Sequence, residues 1–232
     1  MNLLAIDTSS DACSVALQSG GEINEQFVVQ PKQHTDILIP MIKNLLHDAG
    51  VELQDLDAIV LGNGPGSFIG MRIAASVAQG LAFASGLKIV PVSSMAGVAA
   101  EVMHRHSATA VIVAQDARMN EVYLGTYRSD DDRLPAAITE ELLQPIEQID
   151  GLTGIGTSEL VAAGKGWQIY PSLLELNRSE IVRVVDVHYP KAEYLLALGA
   201  RGWQRGEAIE AENLAPAYIR TKVAEKPRNA GC

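Results

Sequence analysis

Asp7, Thr8 and Ser9 follow the apolar run NLLAI at residues 2 to 6, placing an acid and two hydroxyls in one turn. At the end of a strand such a triplet could meet the terminal phosphates of a magnesium nucleotide, Asp7 through water and the hydroxyls on phosphate oxygen. The same residues also form an Asx or Ser/Thr turn that needs no ligand. No glycine follows Asp7 until Gly20, which leaves little room for a phosphate against the backbone. A second candidate is GNGPGSFIGMRI at residues 62 to 73. A strand, a glycine-rich loop and a helix N-terminus can aim several backbone N–H groups at an anion. The loop lacks the Gly-Lys-Ser/Thr of a Walker sequence, because Gly66 is followed by Ser67 and Phe68. Glycines that accept positive φ, a stiffening Pro65 and a helix-capping Ser67 describe the loop without a ligand, and that description carries more weight.

The remaining chemistry is sparse. The histidines are His34, His47, His104, His106 and His188, with no His-x-x-x-His, Cys-x-x-Cys or G-x-S-x-G anywhere in the chain. His104 and His106 would point to different sides of a helix and cannot share a metal. The two cysteines, Cys13 and Cys232, suggest free thiols.

The elements that must position these residues read as alternating strands and helices. The opening strand, turn and strand at residues 2 to 18 is echoed by AVIVAQ at 110 to 115, a turn at Asp116, and EVYLGTY at 121 to 127. Asp7 and Asp116 stand 109 positions apart, as if the chain were two related halves. Between them the spacing predicts a helix over 35 to 47, capped by Thr35 and stopped at Gly50, a strand over 57 to 64, and a helix over 69 to 85 ended by Gly86. A strand at 87 to 94 and a helix at 95 to 105 follow. Beyond residue 150 the pattern is less regular: short strands in DGLTGIG and in ELVAAGKGWQIY at 159 to 170, helices near 171 to 177 and 190 to 205, and a closing strand in LAPAYIRTKVA. The whole argues for a mixed α/β fold with covered sheet faces.

The helix over 69 to 85 carries a thin polar stripe of Arg72, Ser76 and Gln79 among apolar and small residues, Gly70 and Ala75 included. That pattern suits burial on most sides and close approach by a neighbour. Leu38, Met41, Ile42 and Leu45 of the preceding helix could supply the adjoining apolar patch. At 232 residues the chain can bury a sizeable core, and 47% hydrophobic with 20% charged residues is the balance of a soluble globular protein. The formal net charge of -10 disfavours direct nucleic-acid binding. The one basic cluster, Arg220, Lys222, Lys226 and Arg228, reads as a solvated terminus. MNLLAID is too short for a signal peptide or a membrane span, so a cytoplasmic location is expected.

AIDTSSDACSVAL at the start, GNGPGSFIGMRIA, DARMNEVY at 116 to 123 and APAYIR at 215 to 220, in that order, resemble the bacterial TsaB (YeaZ) family over nearly the whole chain. The resemblance implies an ASKHA (actin-like, sugar-kinase-like) fold of two related lobes, residues 1–107 and 108–232. It implies a part in making N6-threonylcarbamoyladenosine at position 37 of tRNAs that read ANN codons, as a non-catalytic subunit supporting the paralogue TsaD, with TsaE as the ATPase of the larger assembly. TsaD-like proteins carry a metal-binding His-x-x-x-His after the strand corresponding to IVPVSS, and the comparable positions here are Ser94 and Val98, neither able to replace an imidazole.

No catalytic residue, metal or cofactor of its own is therefore expected, with Asp7, Thr8 and Ser9 as a vestigial nucleotide loop and room left for ATP or ADP at a complex interface. Leu38, Met41, Ile42, Leu45, Gly70, Arg72, Ala75, Ser76 and Gln79 form the expected partner interface, for TsaD or for a second copy of the chain. Contact with tRNA would be indirect, and none with a membrane is expected. The rival readings are an ASKHA phosphotransferase using Asp7, Thr8 and Asp116, and a peptidase.

Overall fold

The structure is a computed structural model that describes residues 1–149 and 159–219. The DGLTGIG stretch, the basic tail cluster and Cys232 lie outside the described residues.

Strands β1 (Leu3–Asp7), β2 (Ala12–Ser19) and β3 (Glu22–Val29) form an antiparallel meander, and β4 (Ala58–Gly62) and β5 (Lys88–Val92) extend it in parallel beyond β1. The resulting order is β3-β2-β1-β4-β5. β1 and β4 are buried along their whole length, as apolar strands covered on both faces must be.

The second sheet repeats the plan. β6 (Ala110–Asp116) and β7 (Glu121–Ser129) form the antiparallel hairpin, β8 (Pro135–Ala137) and β9 (Leu142–Pro145) pair with β7, and β10 (Leu160–Ala163) and β11 (Ile181–Val184) extend in parallel from β6. Its order, β11-β10-β6-β7-β8, is the first sheet's plan with the same strand directions. The two hairpins ending at Asp7 and Asp116 are thus equivalent positions of two related lobes.

Helices α1 (His34–Ala49) and α2 (Phe68–Ser85) cover one face of the first sheet. α1 begins at His34 behind Gln33, which makes no side-chain cap bond, so Thr35 is not the cap. Ser67 does cap α2, accepting a hydrogen bond from the Gly70 amide, and Gly86 closes it in the left-handed conformation.

The other large helices change sides. α3 (Ser94–His106) follows β5 but sets Met95, Val98 and Val102 against Val111, Val113 and Tyr127 of the second sheet. α6 (Ala192–Gln204) follows β11 but sets Leu195 and Leu196 against Leu3, Ala5, Val60 and Val90 of the first. Two short helices, α4 (Gly166–Ile169) and α5 (Pro171–Leu176), cover the remaining face of the second sheet through Trp167 and Leu173.

Two expectations are corrected here. ELVAAGKGWQIY is one strand, a turn at Gly164 and the helical turn α4, because Gly164 at φ +99 ends the extended run. Residues 214–219 form no strand but a strap over the first lobe. Ile209 exchanges backbone hydrogen bonds of 2.9 and 2.8 Å with Ile89, a 3-10 turn spans Ala211–Asn213, and Leu214 enters the α1/α2 core.

Candidate functional site: the interlobe cleft and the face of α2

Asp7 is 1% exposed. One carboxylate oxygen accepts the Ser9 amide and the Ser9 hydroxyl, both at 2.8 Å, and the other accepts the Ser94 hydroxyl at 2.6 Å. The Ser94 oxygen in turn receives the Gly64 amide at 3.0 Å. Burial outweighs these bonds and pushes the Asp7 carboxyl up to about 6. The position where the resemblance places a metal-binding histidine is thus wired to Asp7 and the glycine loop, while Val98 is fully buried in the second core.

The glycine loop is filled by the chain's own Thr8 and Ser9. The Ser67 amide donates to the Ser9 carbonyl at 2.6 Å, and the Thr8 hydroxyl donates to the Gly70 carbonyl at 2.7 Å. A Cβ on Gly66 would stand 2.2 Å from the Ser9 carbonyl oxygen, and one on Gly70 1.9 Å from that of Thr8. The amides of Gly64, Ser67 and Gly70 all have partners within the chain. Gly70 therefore serves the fold and is no partner-contact residue, and the expected close neighbour is another loop of the same molecule.

Between the lobes lies a cleft of about 400 Å³, lined by the two hairpin turns and by Lys165, Tyr189 and Tyr218. Asp116 accepts the Arg118 amide at 2.9 Å and the Tyr170 hydroxyl at 2.8 Å, and pairs with the Arg118 guanidinium at 3.1 Å. Burial, then this contact with Asp116, pushes the Tyr170 hydroxyl up to about 12. Arg118, Met119 and Asn120 stand at φ 61, 57 and 59, three consecutive left-handed residues, at roughly 1 kcal/mol or more each. Lys165 donates to the Tyr189 hydroxyl at 2.7 Å and reaches Asp11 at 3.3 Å. The Tyr189 bond, ahead of Asp11, holds its ammonium above the ordinary lysine range. Residues 11, 165 and 189 carry no sequence signal of their own, since a charge in a turn is ordinary until the opposite lobe is seen.

The expected partner interface resolves differently. Leu38, Met41, Ile42, Leu45 and Ala75 are at most 5% exposed and pack in the α1/α2 core. They lie on the apolar sides that the two helices turn to the sheet and to each other, so they are corrected to core. Arg72 donates to the Tyr218 hydroxyl at 2.9 Å and stacks 3.7 Å from the Phe68 ring centre, and Gln79 donates to the Ala211 carbonyl at 3.0 Å. Both are taken by the C-terminal strap. Only Ser76 of that set is an exposed residue of α2 outside these contacts. Open instead is the outer edge of α2. Ile69 (70% exposed), Ser76, Gly80 and Phe83 (84% exposed) run down α2, with Ile73 between them half-buried against the core. By length and composition α2 could cross a bilayer. Its alanine face on the sheet and its bonds to the strap are those of a core helix with one free edge.

Two lobes of matching strand order, facing each other across a cleft, define an ASKHA-type protein. The family described as "TsaD: tRNA N6-adenosine threonylcarbamoyltransferase" matches residues 26–227. The tRNA threonylcarbamoyladenosine biosynthesis protein TsaB of Escherichia coli (strain K12) is 37% identical over 230 residues, 97% of each chain. Its namesake in Bacillus subtilis (strain 168) is 28% identical over 228 residues, 97% of this chain and 96% of that one. The solved structure of YeaZ from Pseudomonas aeruginosa superposes with a TM-score of 0.86 at 39% identity, covering 94% of this chain and 99% of that one. The chain belongs to the TsaB (YeaZ) family. Another solved Pseudomonas aeruginosa chain, described as similar to peptidase YEAZ, gives 0.87 at 39% identity, with the same coverage. Among the described residues no histidine bonds to Ser9, Ser67 or Ser94, so no nucleophile and base pair is assembled there.

Proposed function

We propose that this chain acts in the biosynthesis of N6-threonylcarbamoyladenosine in tRNA as a non-catalytic subunit that binds and supports a TsaD-type transferase. The observation that carries this reading is the free edge of α2. Large apolar side chains stand open at its two ends, Ile69 and Phe83, with small residues, Ser76 and Gly80, between them. Such a seam lets a second helix approach closely at the middle and bury an anchor at each end.

The seam is also compatible with itself, since an antiparallel copy sets Ile69 opposite Phe83, and a homodimer then competes with the complex. The occupied amides of the glycine loop favour a chain without a nucleotide of its own. ATP or ADP of the assembly would lie at a subunit interface, TsaE would join the larger complex, and tRNA would be reached through TsaD.

Reconstitution of tRNA modification from purified components, with and without this chain, tests the reading. Modification should depend on the chain, while the chain alone should transfer nothing and turn over no ATP. Modification at full rate in its absence, or transfer by the isolated chain, would overturn it.

A further inference from the structure

The two lobes are joined along one side by the exchanged helices, where α3 lies so close to α6 that a Cβ on Gly97 would stand 2.4 Å from a Leu195 methyl carbon. Across the cleft the hairpin turns face each other, and there one carboxylate of the first lobe meets two cations of the second. Asp11 takes Lys165 at 3.3 Å on one oxygen and Arg118 at 3.6 Å on the other. Each cation also has an anchor within its own lobe: the Tyr189 hydroxyl for Lys165 and the Asp116 carboxylate for Arg118. The three left-handed residues at 118 to 120 bring the Arg118 side chain to this place.

We infer that Asp11 is a latch that holds the lobes together across the cleft, with Lys165 and Arg118 as its catch. When the latch opens, both cations keep their own-lobe partners, so only the carboxylate loses its companions. That makes the open form accessible without leaving a buried charge unpaired. The Asp11 and Lys165 side chains are both about a third exposed, 29% and 31%, so the latch weakens as salt rises. Its two ends belong to different lobes, and lobe separation reads it directly.

The test places spin labels at exposed Gln33 of the first lobe and exposed Ile169 of the second, as Gln33→Cys and Ile169→Cys in a Cys232→Ser background with Cys13 left in the core. Labelled chain is diluted with unlabelled chain so that only distances within one molecule are read. At low salt the wild-type latch should give one narrow distance population. At about 1 M salt, where screening acts over roughly 3 Å, the population should broaden toward longer distances. Asp11→Asn should reproduce the high-salt distribution at low salt. Lys165→Gln from the opposite side of the cleft, which leaves Arg118 on Asp11, should broaden it in the same direction by less, and their combination should add nothing to Asp11→Asn. Unchanged narrow distributions in both variants, or a salt response that survives Asp11→Asn, would overturn the latch.

Discussion

At the scale of single residues, the loops that could have served a nucleotide are organised around Asp7 and Gly70. The folded Asp7 carboxyl lies near 6, above its ordinary 3.8, so between those values the folded chain holds a proton that the unfolded chain has lost. This group therefore lowers stability as pH rises through that window, by about 3 kcal/mol in all. Chemical denaturation at pH 4 to 7 should show a component of falling stability that is absent in Asp7→Asn. Identical slopes in the two proteins would show that the burial is not felt. Gly70 makes a sharper case. Alanine would gain about 1 kcal/mol in helix propensity there. Its Cβ would also sit 1.9 Å from a backbone carbonyl, which cannot swing away. The clash should win, and Gly70→Ala should lose about 3 kcal/mol in urea unfolding.

The two long helices set core and open surface side by side. Leu38 and Met41 face the sheet, so Leu38→Ala should cost about 2 to 5 kcal/mol of stability. Ile69 and Phe83 face outward, so Ile69→Arg or Phe83→Arg should change stability by no more than about 0.5 kcal/mol. The same substitutions should weaken association with a TsaD-type partner by tenfold or more in calorimetry. Tight binding by both arginine variants would move the contact elsewhere. Beyond the buried Leu214 the strap along α2 is held by surface bonds, Arg72 to Tyr218 and Asn63 to Ala215 among them. Tyr218→Phe removes one of them and should raise hydrogen exchange at residues 215 to 219, leaving β1 and β4 protected.

For the whole molecule, the exchange of α3 and α6 makes neither lobe complete in sequence. A chain of residues 1 to 107 would carry α3 with Met95, Val98 and Val102 exposed and would lack α6 over Leu3, Ala5 and Val60. Such a fragment should show no cooperative melting transition, whereas the full chain should unfold with both lobes in one step. A cooperative melt of the fragment would mean that the lobes are separable units.

The sequence by itself determined the buried strands, the repeated turn at an acid, the glycine stops and the Ser67 cap. These depend on neighbours a few residues away, and local chemistry states them. It also carried the family, through four motifs in order. The polar-rich strand β3, the short strands β8 and β9, and the route of residues 209–219 were not legible, because their partners lie far along the chain. Tertiary structure alone decided which face of an amphipathic helix is spent on the core. The apolar period of α1 reads the same whether it meets a sheet or a partner, and Arg72 and Gln79 look free until Tyr218 and Ala211 arrive from more than 130 residues away. The pairing of Asp11 with Lys165, 154 positions apart, is of the same kind: charges attract through space, and only the fold sets that distance.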